Sequence, residues 1–163
     1  MGVIVLTGPA AAGKNTVSNL IARMRKNGAD IDVDLVRWMY RQPHKAPWEG
    51  DEGIAQLKFG TENACILAKS FLAKDIDVII CDVLTNETAN IYKESLPGVK
   101  IILLMPTLEE THKRFENRTH TISEEEFNWI YELEQKLTVY DEKIDNTQLT
   151  AQETAEKVNK FFA

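Results

Sequence analysis

The chain is poor in the features that mark several protein classes. It holds two cysteines, Cys65 and Cys81, in 163 residues. That is too few, and too isolated, for a disulfide framework or a cysteine-based zinc site. Both fall in apolar patterns and read as buried thiols, which points to a reducing compartment. The three histidines, His44, His112 and His120, lack metal-ligand spacing. No apolar run approaches the length needed to span a bilayer. The net charge is −6 and no basic stripe is visible, which weighs against a stable complex with long nucleic acid. A short end held in a local pocket is still compatible. Repeats, low-complexity tracts and linkers are absent. The N-terminus runs at once into an apolar segment, leaving no room for a cleaved signal. Leu6 stands where a myristoylation motif needs Ser or Thr. The expectation is a cytoplasmic protein without membrane attachment, of open oligomeric state.

What is present fits one compact domain over residues 1–163, since this length supports a single core. The most informative stretch is Gly8-Pro9-Ala10-Ala11-Ala12-Gly13-Lys14-Asn15-Thr16. It follows the apolar run Val3–Leu6 and precedes a helical pattern, Val17 to Lys26. Strand, glycine-bounded loop, Gly-Lys and helix form the context of a phosphate-binding loop. The glycines let the backbone approach a ligand closely. The loop amides form an anion-binding concavity, and the helix N-terminus adds partial positive charge. Lys14 supplies a point charge for β- and γ-phosphates. Asn15 departs from the motif, which places Ser or Thr there to bring a hydroxyl to Mg²⁺. Its amide oxygen or a bound water can serve instead, because Mg²⁺ keeps several waters near phosphates.

Along the chain, apolar strands alternate with helical patterns. Strands are expected at residues 3–7, 30–33, 78–82, 100–105 and 143–146. Helices are expected at 17–26, 35–42, 52–74, 86–96, from 107 to about 117, from 123 to about 136, and from 150 nearly to 162. Pro43–Gly50 reads as a loop. Thr107/Glu110, Ser123/Glu126 and Thr150/Glu153 have capping-box spacing. Gly60 interrupts the long helix, for close packing or a small kink. Alternating strands and helices imply a parallel α/β sheet, with ligands at the carboxyl ends of the strands.

That rule puts several candidates on one rim. Asp82 ends an apolar strand and is the candidate second anchor for Mg²⁺. Asp34 is either a base for an acceptor hydroxyl or the cap of the next helix, and Asp32 is the alternative base. Arg37, three residues on, can share a helix face with Asp34. Arg114 and Arg118 lie four apart and can neutralise charge on a transferring phosphoryl group. Pairing with Glu110 or Glu116 on a solvated face is the competing role. Residues 114–122 are a candidate lid. Trp38 and Trp48 flank the proline-containing loop and read mainly as packing. Trp129 reads as core.

The chain resembles the small P-loop kinases of the nucleoside-monophosphate-kinase-like group. These include the 5′-hydroxyl polynucleotide kinase domain, chloramphenicol phosphotransferase and gluconate kinase. Asp34-Leu35-Val36-Arg37 looks like the Asp-x-x-Arg of the polynucleotide kinase domain, where Asp is the general base. Val78–Asp82 looks like its third-strand acid, and Arg114 with Arg118 like its lid arginines. Residues 144–153 look like the closing strand and helix near the nucleotide base. The resemblance implies a five-stranded parallel sheet of order 2-3-1-4-5, with helices on both faces. It also implies ATP and Mg²⁺ as cofactors, with Gly8, Ala10, Ala11, Ala12, Gly13, Lys14, Asn15 and Thr16 around the nucleotide. The expected activity is transfer of the γ-phosphate to a hydroxyl of a small-molecule acceptor. Nucleosides, nucleotides or nucleic-acid 5′ ends are the alternative acceptors. A nucleotide-binding regulator with little transfer is the alternative of another class.

Overall fold

In the computed structural model, which describes residues 1–162, the strands form one parallel sheet. They are β1 (Val3–Thr7), β2 (Gly28–Asp32), β3 (Asp77–Cys81), β4 (Lys100–Leu104) and β5 (Glu142–Ile144). Their order is β2-β3-β1-β4-β5. The helices are α1 (Lys14–Met24), α2 (Val33–Trp38), α3 (Gly50–Leu72), α4 (Asn86–Ser95), α5 (Leu108–Glu116), α6 (Glu124–Gln135) and α7 (Ala151–Asn159).

The central strands are buried on both faces, as their unbroken apolar runs require. Val3, Val5, Val78, Ile80 and Ile101 pack against Ala64, Ala68 and Tyr92 of α3 and α4. Ile4, Leu6, Ile79, Ile102 and Leu104 turn to the other face and meet Val17 and Ile21 of α1 and Ala155 and Val158 of α7. The two-residue alternation along each strand therefore builds two cores with one sheet between them. A third, small cluster of Ala11, Phe115 and Phe127 joins the glycine loop to α5 and α6.

Element boundaries moved most around β2. The strand starts at Gly28 rather than Asp30, and α2 starts at Val33 rather than Leu35. Gly28 permits the early start: a Cβ there would lie 2.2 Å from the Ala22 carbonyl oxygen. Asp32, not Asp34, caps α2, its carboxylate accepting from the Asp34 amide. Gly60 is resolved as close packing, because a Cβ there would meet Arg37 Cγ at 2.4 Å. The capping boxes at Ser123 and Thr150 are complete. Thr107 makes only half of one; its own amide donates to Thr147 Oγ1. An unforeseen box joins Thr85 and Thr88 at the head of α4.

Candidate active site

The loop between β1 and α1 holds a conformation that few residues tolerate. Gly8 has φ of 146°, and a Cβ there would sit 2.2 Å from the Leu104 carbonyl oxygen. Gly13 has φ of 93° and precedes α1. Ala11, with φ of 64°, is left-handed without being glycine, a strained state of the kind found at ligand clamps. No side chain caps α1 and no acid lies in its first turn, so its leading amides face the loop without a competing anion. Lys14 Nζ donates to the carbonyls of Gly8 at 2.6 Å and Pro9 at 3.1 Å, inside the loop's curve. Asn146, just beyond β5, braces the loop by donating to the Ala12 carbonyl at 2.9 Å.

Asn15 does more than fill the place of a hydroxyl residue. Its Nδ2 donates to Asp32 Oδ2 at 2.6 Å, while Asp32 Oδ1 accepts from the Asp34 amide at 3.0 Å. One carboxylate thus couples the first turn of α1 to the first turn of α2. Burial raises the Asp32 pKa, and the neighbouring negative charge of Asp34 raises it further. Asp34 itself is exposed, with 69% of its side chain accessible. Thr16 lies exposed on α1.

Arg37 is buried, and two of its three guanidinium nitrogens have partners. Nη2 donates to the Lys45 carbonyl at 3.0 Å and Nη1 meets Asp34 Oδ1 at 3.4 Å. Nε is buried without a partner. The segment it holds, residues 43–49, is also pinned from α3. Gln56 Oε1 accepts from the Lys45 amide and Gln56 Nε2 donates to the Pro43 carbonyl. Gly53 lets Ala46 approach closely. Trp48 then meets Trp129 of α6 edge-on at 6.1 Å, so this loop bridges α3 and α6. Trp38 stacks on His44 at 3.8 Å instead.

Asp82, the candidate second anchor for Mg²⁺, lies at the end of β3 with partners from three directions. It is buried, with Oδ1 accepting from the Val83 amide and Oδ2 from Tyr92 Oη at 2.7 Å and Thr61 Oγ1 at 3.2 Å. Burial pushes its pKa up to about 7. It joins β3 to α3 and α4. Among the described residues, no three His, Cys, Asp or Glu side chains cluster to hold a metal by themselves.

The arginine pair is divided. Arg114 Nε bonds Glu110 at 2.8 Å, and its Nη2 donates to the carbonyls of Asn146 and Thr147. Its charge therefore borders the turn after β5. Arg118 is exposed in the segment after α5, where His120 stacks on Phe115 at 3.9 Å. One residue escaped sequence reasoning altogether. Glu134 of α6 is fully buried, and accepts from Thr7 Oγ1 at 2.6 Å and the Leu84 amide at 3.0 Å. Its signal was present: Phe127, Ile130 and Glu134 share helical spacing, so an acid lies on the buried face of α6.

A cavity of about 380 Å³ opens between α2 and α3, lined by Val36, Met39, Tyr40, Phe59, Ile66 and Leu67 among others. Arg37, Gln56 and Gly60 line it too, so it borders the residues that hold the 43–49 segment.

No family profile matches the chain, and no curated protein matches it in sequence. Solved structures do. A sugar kinase from Janibacter sp. HTCC2649 is 15% identical over 99% of this chain and 94% of its own, with a TM-score of 0.73. Shikimate kinase from Bacteroides thetaiotaomicron is 16% identical over 98% and 97%, with a TM-score of 0.70. The APS kinase of Mycobacterium tuberculosis, solved with AMPPNP and APS, is 15% identical over 98% and 96%, with a TM-score of 0.67. At such identities the likeness shows the fold, and that fold is the one these P-loop small-molecule kinases share.

Proposed function

We propose that the chain is an ATP- and Mg²⁺-dependent phosphotransferase that phosphorylates a hydroxyl group of a small molecule. The carrying observation is the link Asn15–Asp32–Asp34, which ties the phosphate loop to the candidate base. Phosphoryl transfer is mostly positioning and charge stabilisation, so donor and acceptor halves must share one frame.

In this reading the loop amides and Lys14 bind the β- and γ-phosphates, Lys14 exchanging the Gly8 and Pro9 carbonyls for phosphate oxygens. Asp34 accepts the proton of the acceptor hydroxyl and aims its oxygen in line. Asp32 holds the start of α2 and so fixes where Asp34 points. Arg37 supports Asp34 and clamps residues 43–49, rather than gripping an anionic acceptor. Arg114 lies at the turn after β5, where the resemblance places the base, and Arg118 is the arginine free to approach the phosphates. Mg²⁺ bound with ATP would supply charge neutralisation for the transferring phosphoryl group. Asn15 and Asp32 fit it: the amide nitrogen is spent on Asp32, leaving the amide oxygen for the metal or its water. Asp82 serves as the buried anchor behind them.

A small, uncharged or weakly charged acceptor is favoured over a nucleic-acid end, because Arg37 is committed and α6 carries no basic residue. A screen of hydroxyl compounds, reading ADP release with Mg²⁺ and ATP, tests this. Acceptor-dependent release that disappears in Lys14→Met supports the proposal. Nucleotide binding with no acceptor-dependent release across sugars, polyols, nucleosides and amino alcohols would favour a regulator instead.

A further inference from the structure

Helices α2 and α3 leave an apolar face uncovered. Leu35 and Trp38 of α2, Met39 and Tyr40 just after it, and Phe59 and Ile66 of α3 are between 40% and 74% exposed. They form one patch. Met39, Tyr40, Phe59 and Ile66 line the cavity between the two helices, and Tyr40 meets Phe59 edge-on at 6.4 Å. Leu35 lies one turn before Met39, and with Trp38 it carries the patch over the crest of α2. At about 200 Å² for a large side chain, the six expose roughly 700 Å². The largest apolar patch of a typical monomer is about 300–600 Å². One partner in a standard interface contributes about 800 Å².

We propose that this face is the contact of a twofold homodimer. The patch carries its own complement. A ridge of Leu35 and Met39, 65% and 74% exposed, stands beside an apolar-walled cavity of about 380 Å³. A twofold axis puts the ridge of each copy into the cavity of the other, and such a contact closes at two copies. The area fits a second copy better than a small ligand, which would fill the cavity and leave Leu35 and Trp38, outside it, in water. Charge agrees. Each chain carries −6, so two copies repel in most orientations, but none of the six residues is charged. Both signs border the patch, with Arg41 and Lys69 against Glu62, so the twofold can bring unlike charges together at the rim. The contact is independent of the transfer reaction.

Sedimentation velocity and light scattering on the full chain, without nucleotide, test this. At about 100 μM the wild type should have twice the monomer mass of 18.5 kDa. Met39→Asp puts a charge on the ridge, and Ile66→Lys puts one on the cavity wall. Both positions are exposed, so the monomer fold should carry either change, which circular dichroism checks. Each should raise the dimer Kd by at least about tenfold. Leu108→Asp changes an exposed apolar residue of α5, outside the patch, and should leave the Kd as it is. Should one of the two patch variants fail to fold, the other decides. Wild-type protein that stays monomeric at this concentration overturns the proposal and leaves the face to a small apolar ligand or a different protein. A dimer that the patch variants leave intact overturns it too, because the contact then lies elsewhere. Equal weakening by Leu108→Asp overturns it as well.

Discussion

Asn15 shows how one side chain can reorganise a motif. A serine or threonine hydroxyl could meet a metal, but it could not also reach across to Asp32 as the longer amide does at 2.6 Å. In the proposed reaction the cost of that reach is a metal held by a neutral oxygen or by water. The benefit is that Asp32, and through it Asp34, is registered to the loop. Asp34→Asn keeps size and shape and removes the proposed base. We expect kcat to fall by about 10²–10⁴-fold with little change in ATP binding, measured as acceptor-dependent ADP release and nucleotide titration. An unchanged rate would remove Asp34 from the mechanism. Gly8→Ala acts on the other half. Its Cβ has nowhere to go against the Leu104 carbonyl, and φ of 146° is closed to alanine. The loop must distort, so nucleotide binding should be lost and stability should drop by about 2 kcal/mol or more. Calorimetry and denaturant unfolding read these two effects separately.

Elements place these residues. Helix α3 is the frame of the proposed acceptor side, since it carries Gly53 against Ala46, Gln56 against Pro43 and Lys45, Gly60 against Arg37, and Thr61 against Asp82. Small or polar residues recur on its inner face because backbone and charged side chains, not only apolar ones, press on it. Gly60 weakens the helix by about 1 kcal/mol relative to alanine in an exposed setting. Here the close approach of Arg37 reverses the sign. Gly60→Ala should destabilise the fold by about 1–3 kcal/mol and displace the Arg37 clamp. In a chemical denaturation series this appears as a lower midpoint, together with faster proteolysis in residues 43–49. A stabilised variant with an unchanged loop would show that Arg37 yields without cost.

At the scale of the whole molecule, the acids divide into two groups. Asp77 and Asp141 at the sheet's far end have lowered pKa values, although burial opposes this: Asp77 is hydrogen-bonded by Arg25 and Asp141 by Lys93. Asp30, Asp32, Asp82 and Glu134, on or near the site, have raised ones, led in each case by burial. The fold therefore holds carboxylates near the phosphate loop in places that disfavour their charge, a pattern common at functional sites. Asp82 gives a test with a definite sign. Its folded pKa of about 7 lies above the unfolded value near 3.8. Between those two values the folded protein binds more protons, so its contribution to stability falls as pH rises through the window and levels off above about 7. Asp82→Asn removes that slope but keeps oxygen and nitrogen atoms near Tyr92 and Thr61. The stability of the variant relative to wild type should therefore rise between about pH 4 and pH 7, by thermal unfolding in matched buffers. A constant difference across that window would mean that Asp82 does not titrate there.

The sequence by itself determined the fold and the glycine-bounded loop that joins β1 to α1. Unbroken apolar runs such as Val3–Leu6 suit strands covered on both faces, and a glycine-bounded loop between strand and helix can take the positive-φ turns found at Gly8 and Gly13. These are local signals, carried by neighbours in the chain, and strand order followed from the family resemblance that they support. Tertiary structure alone decided who meets whom. It gave the capping role to Asp32 and left Asp34 exposed, because β2 ends at Asp32 and α2 starts at Val33. It turned Asp82 inward to Tyr92 and Thr61, partners 10 and 21 residues away in sequence. It drew Arg114 to the carbonyls after β5 and brought Glu134 to the phosphate loop, 127 residues from Thr7. Such pairings depend on how helices settle across the sheet edges, and nothing in local spacing encodes the distance between a side chain and a partner so far along the chain.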